Sequence, residues 1–279
     1  MLDILVNAHH STESRKPNFG TTIAYRQFTP VTPGQLYDAL AMLAPNSRMG
    51  DWTAPFKARP TDDAGTDMLS VDGVPLTMIN LDVPLPPKFF EQGRVPNYLI
   101  PNANAISEGC HAHATIMPAS TPNSPWEACQ LSRAVTLLGW ACAHVVKANI
   151  FKWHAPNNLV PINVLKLYAD RLLPFNGDAI PAWVRILAGR VSGQSSDRPL
   201  IIAGTYGLWT FGRFDVEYAP TNLPMDYLIP HAYSVSKYLM RNSIKDGDEL
   251  AFDDVAKFRV GRKTKGFFHE DPVLMLTQT

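Results

Sequence analysis

The stretch Gly204–Tyr218 constrains the fold more than any other part of the chain: Gly-Thr-Tyr-Gly-Leu-Trp-Thr-Phe-Gly-Arg-Phe-Asp-Val-Glu-Tyr. Tyr206, Leu208 and Thr210, then Phe214, Val216 and Tyr218, recur at period two. That spacing suits a pleated surface buried on one side. Gly207 and Gly212 punctuate the runs, where a missing side chain permits a bulge or a positive φ. The pattern predicts two strands joined by a tight hairpin at Gly212-Arg213. On the second strand Asp215 and Glu217 alternate with apolar residues and are expected on a wet, acidic face. Two carboxylates at i and i+2 suit acid–base chemistry or a metal. Charged side chains are seldom buried, so a solvated face is the reading taken.

The rest of the composition narrows the class. The chain has 279 residues, 46% of them hydrophobic, with 25 basic and 25 acidic side chains. Such a chain can bury a sizeable core. Zero net charge argues against a general nucleic-acid or membrane-surface binder, which carries a basic surplus. Cys110, Cys129 and Cys142 are odd in number and irregular in spacing, so they are no disulfide framework and suit a reducing compartment. Met1–His10 lacks a basic region followed by a long apolar run, so no signal peptide is expected. No run approaches the ~18 continuous apolar residues of a membrane span. These readings predict a soluble cytoplasmic protein.

Local signals predict a mixed set of elements. Thr32 as N-cap and Pro33 at the first position open a helix through Leu36, Leu40 and Leu43, which Pro45-Asn46 ends. Asp72-Gly73 between apolar runs predicts a β-hairpin over Asp67–Val83. Ser124, Pro125 and Glu127 open the strongest helix, Pro125–Lys147, with Leu131, Val135, Leu138, Cys142 and Val145 on its apolar face. Further helices are expected at Pro161–Leu172 and Pro224–Arg241. Strands are expected at Met1–Asn7, Thr22–Phe28, His111–Met117, Ile150–Trp153, Trp183–Ala188, Leu200–Tyr218, Glu249–Phe252, Phe258–Val260 and Val273–Leu276. Asp51–Ala64 and Asn97–Ser107 read as loops. With no βαβ repeat, the fold class is α+β: mixed, largely antiparallel sheets packed with about three main helices. One domain over 1–279 is expected, with a weak subdivision near 84–107.

Candidate chemistry is sparse. His111 and His113 share a strand face and are the weak candidates for a metal, but zinc needs a third and usually a fourth ligand. Cys142 and His144 are two apart on a helix and do not face each other, so Cys142 is read as core. His9-His10 with Glu13 reads as a solvated loop. Dinucleotide-binding, phosphate-loop and Gly-x-Ser-x-Gly patterns are missing from the sequence. No catalytic residue and no cofactor is assigned. Acidic residues cluster at Asp62, Asp63 and Asp67, and again at Asp246, Asp248, Glu249, Asp253 and Asp254. Charge runs are usually solvated turns, and the functional alternative is a patch that steers toward a basic partner.

The His-x-His strand ahead of a long helix, the Trp183-Val184 strand, the Gly-Leu-Trp-x-Phe-Gly pair and the Asp246-Gly-Asp248 turn occur in that order. In this the chain resembles the bacterial domain of unknown function 4261 family, from roughly Met68 to the C-terminus. Leu36-x-x-x-Leu40-x-x-Leu43-x-Pro45, followed by Trp52, is similar to the opening helix of polymorphic-toxin immunity proteins of the immunity protein 52 type. That resemblance implies a cytoplasmic α+β binder that neutralises a toxin, some such toxins being nucleases. The expectation is a non-catalytic immunity protein for a cognate toxin, such as a nuclease effector of a type VI secretion system. It would block the toxin's active site or assembly through the acidic clusters. Two alternatives stand beside it: a metal-dependent hydrolase using His111 and His113, and an adaptor of a secretion apparatus.

Overall fold

The computed structural model describes residues 17–45, 49–51, 65–90, 109–148, 150–163, 165, 179–191 and 199–279. The chain divides into two compact units, the described residues from 18 to 183 forming one and 184–279 the other. Each has its own sheet, and the fold class is α+β.

The first unit holds β1 (Thr21–Tyr25), β2 (Met49–Asp51), β3 (Gly65–Val71), β4 (Val74–Leu81), β5 (Ala112–Pro118), β6 (Ile150–Trp153) and β7 (Asn158–Pro161). They lie in the order β2-β3-β4-β5-β1-β6-β7, antiparallel at each pairing. The β3–β4 hairpin closes where Asp72 (φ 51°) and Gly73 (φ 81°) both take left-handed conformations, as a two-residue hairpin turn demands. Arg133 lies 3.3 Å from Asp72 and ties that turn to the long helix.

Helices α1 (Pro33–Leu43) and α2 (Pro125–Val145) pack on each other, and α2 also packs on the sheet. Thr32 Oγ1 accepts from the Gln35 amide at 3.3 Å while Gln35 Oε1 accepts from the Thr32 amide at 2.9 Å, a complete capping box. Ser124 Oγ caps α2 by accepting from the Glu127 amide at 3.2 Å. Gly139 lets α2 approach the sheet: a Cβ there would stand 2.6 Å from the buried Phe151 ring. A short helix, α3 (Ile180–Trp183), follows, and Trp183 Nε1 donates to Thr136 Oγ1 on α2 at 2.9 Å.

The second unit holds β8 (Arg185–Arg190), β9 (Ile201–Tyr206), β10 (Val216–Thr221), β11 (Glu249–Leu250), β12 (Phe258–Lys263) and β13 (Val273–Gln278), in the order β11-β12-β13-β10-β9-β8. β10 and β13 run parallel and the other described pairs antiparallel. Helix α4 (Met225–Arg241) packs against β8 and β9.

Several expectations are corrected. The β9–β10 pair forms, but its connection is longer than a tight Gly212-Arg213 hairpin. A 3-10 turn, Leu208–Phe211, sits between Gly207 (φ 130°) and Gly212 (φ 66°). Asp215 and Glu217 are not on a wet face: they are 4% and 0% exposed. β2 and β7 were not anticipated as strands. The expected strand Met1–Asn7, the loop Asn97–Ser107 and most of Asp51–Ala64 and of helix Pro161–Leu172 lie outside the described residues. Among the described residues, no helix is long and apolar enough to cross a membrane.

Candidate functional site

A group of buried ionisable side chains lies under the connection between β12 and β13. β10 alternates as its sequence requires, but both of its faces are covered. Tyr218 turns toward α4, where its hydroxyl and His231 Nδ1 share a hydrogen bond of 2.7 Å. Glu217 turns the opposite way and meets residues 266–269 of the connection. Its carboxylate accepts from the backbone amides of Phe267 and, at 2.8 Å, Phe268. His269 Nδ1 is 2.6 Å from Glu217 Oε1. Two glycines make room: a Cβ on Gly266 would overlap the Glu217 carboxylate, and one on Gly204 would press on Glu217 Cγ at 3.0 Å.

Asp215 completes the cluster. It accepts from Thr205 Oγ1 at 2.8 Å and from the amides of Gly207 and Leu208 at 3.2 and 3.0 Å, so it also fixes the start of the 3-10 turn. Its Oδ2 lies 3.6 Å from His269 Nε2. Burial alone would lower the His269 pKa. The two carboxylates outweigh that and raise it to about 9. The imidazole nitrogens face different carboxylates from opposite sides of the ring, which is an ion-pair arrangement and not a set of ligands converging on one point. Among the described residues no group of His, Cys, Asp and Glu is placed to hold a metal ion. The cluster is a positioning device for the chain itself.

A second group reaches the surface. His231 on α4 contacts Tyr227, Phe252 and Phe258, with ring centroids 5.5, 5.3 and 4.9 Å away. Burial lowers its pKa against the pull of Asp253, and burial raises that of Tyr218. Both are therefore neutral at pH 7. Tyr227 donates to Asp253 Oδ1 at 2.9 Å, which also accepts from the Val255 amide at 2.9 Å. Burial, with this bond and the Asp253 charge, pushes the Tyr227 pKa up to about 12. Beside this cluster an open recess of about 520 Å³ is lined by Phe252, Asp253, Asp254, Val255, Lys257 and Thr279, among others. Phe252 is 40% and Val255 63% exposed.

The residues singled out from sequence disperse. Asp62 and Asp63 lie outside the described residues, and Asp67 is on β3 in the first unit, half-buried, its pKa raised by burial. The other acids belong to the second unit. Asp246 Oδ1 accepts from the Arg262 amide at 2.9 Å and Asp248 Oδ2 from the Lys245 amide at 2.8 Å, so both shape the turn. Glu249 stands 3.7 Å from Arg259 across exposed strands. Asp253 and Asp254 are exposed and line the recess. Exposed Lys257, Arg259, Arg262, Lys263 and Lys265 follow closely, so the acidity is confined to that edge.

His111 is exposed before β5, whereas His113 is buried with Nδ1 2.9 Å from the Val83 carbonyl. Cys142 is buried, its thiol pushed up to about 12 by burial. Sequence reasoning missed His269 and His231 entirely. His269 lies 52 residues from its partner Glu217 and carries no motif. No protein-family model, no curated protein and no solved structure matches the chain.

Proposed function

We propose that this chain is a non-catalytic binding protein, a cytoplasmic antidote that neutralises a bacterial toxin by covering its active site or its assembly surface. The observation that carries the reading is the edge formed by Phe252–Val255. There, exposed apolar side chains and two carboxylates are presented from a segment anchored by Tyr227, His231 and Phe258. Exposed apolar side chains on an aromatic base, rimmed by charge, match the apolar centre and polar rim of a protein interface. The resemblance of the opening helix to immunity proteins points the same way. The buried ionisable groups of the second unit, Asp215, Glu217 and His269, are spent on holding its own backbone. The partner that fits is a protein surface with an apolar knob flanked by lysine or arginine, as a nuclease effector of a type VI secretion system offers around its phosphate-binding site.

The test is co-production with the toxin encoded beside this gene. The expected result is a stable complex and survival of cells that the toxin alone kills. A toxin that neither binds the purified chain nor is restrained by it in cells would end this reading.

A further inference from the structure

We propose that the connection between β12 and β13 is a proton-latched strap: protonated His269, held between Glu217 and Asp215, keeps it seated on the β8–β10 face, and loss of that proton releases it. The geometry carries the assignment. His269 Nδ1 is hydrogen-bonded to Glu217 Oε1 at 2.6 Å, and Nε2 lies at ion-pair distance from Asp215 Oδ2, 3.6 Å, so a cationic ring sits buried between two carboxylates. Glu217 and Asp215 otherwise receive only donors, the Phe267 and Phe268 amides on one and Thr205 Oγ1 and the Gly207 and Leu208 amides on the other. Removing the proton leaves two buried carboxylates beside an uncharged ring, a costly arrangement away from water.

The remaining charged and titratable neighbours do not replace that proton. Tyr206 on β9 lies with its ring 5.5 Å from His269, and Arg185 on β8 is the register partner of Tyr206. On the strap, Lys265 and Glu270 satisfy each other at 2.6 Å, Asp271 adds a negative group, and Arg262 of β12 sits 4.5 Å over the Phe214 ring. The strap is also held by the Phe267 and Phe268 amides on Glu217 and by Phe268 and Phe267 packed against Leu187 and Ile202. Its release uncovers those two residues, so the strap gates an apolar patch on the sheet. This inference is independent of the toxin-binding reading.

The test is a nuclear magnetic resonance titration of the intact chain, following the His269 ring and the amide exchange of residues 264–272 corrected for intrinsic rates. His269 is expected to be doubly protonated at neutral pH and to titrate well above pH 6.5. Over that step, strap protection should fall about tenfold or more, while β9 and α4 stay protected. A His269 ring neutral at pH 7, or strap protection unchanged through the titration, overturns the proposal. In the variant His269→Gln the strap is expected to exchange at pH 7 as fast as in the wild type at alkaline pH, with no further pH dependence. A pH dependence that survives the substitution overturns the latch. If the variant does not fold, the wild-type titration decides alone.

Discussion

Glu217 shows how much a single buried carboxylate demands of its surroundings. A bare buried charge is several kcal/mol unfavourable, and here two backbone amides and a histidine offset that cost. Gly266 is part of the same solution, because any side chain there occupies the space of the carboxylate. Gly266→Ala is expected to destabilise the second unit by about 1–3 kcal/mol, the usual range for overpacking, measured by urea unfolding. The histidine sets a pH dependence whose sign follows from its direction of shift. Its pKa is raised from 6.5 to about 9, so its stabilisation is fully present below pH 6.5 and is lost as the pH rises toward 9. At about 1.4 kcal/mol per pH unit this is on the order of 3 kcal/mol. Chemical unfolding at pH 6 and pH 9.5 should show the decline, and a flat profile would place the proton elsewhere.

At the scale of elements, legibility tracked how local the determining contacts are. The β3–β4 hairpin and helices α1 and α2 were readable because Asp72-Gly73, Thr32 with Gln35, and Ser124 with Glu127 are complete within a few residues. β10 was misread because its period-two alternation is real but its second cover comes from residues 266–269, some fifty positions later. An alternating strand cannot announce that both of its faces are buried. The strand β7 escaped notice for a similar reason: Asn158 is buried and donates to the carbonyls of Pro181 and Ala182, far along the chain. Gly139 gives a test of helix packing. Alanine would gain about 1 kcal/mol of helix propensity, but its Cβ would lie 2.6 Å from a Phe151 ring that is itself fully buried. Overpacking costs about 1–3 kcal/mol, so Gly139→Ala should lower stability on balance. A melting temperature raised by that substitution would mean that the ring relaxes freely.

Across the whole molecule the formal net charge is zero, with 25 basic and 25 acidic side chains, so any electrostatic recognition has to be local. Among the described residues, Asp246 and Asp248 of the acidic clusters expected from sequence accept from turn amides, and Asp253 and Asp254 stand beside exposed apolar side chains. Candidate binding residues were legible as acids, while the aromatic platform beneath them, Tyr227, His231, Phe252 and Phe258, required the packing of α4 on the sheet. The account's central claim is that this edge is the partner surface. Calorimetric titration of the proposed cognate toxin with the wild type and with Val255→Glu tests it most directly. Val255 is 63% exposed, so the variant should fold with stability within about 0.5 kcal/mol of the wild type. The account predicts tight wild-type binding that weakens at least about tenfold in the variant, the loss of roughly 1.4 kcal/mol or more. Equal affinity of the two proteins for the toxin would contradict it.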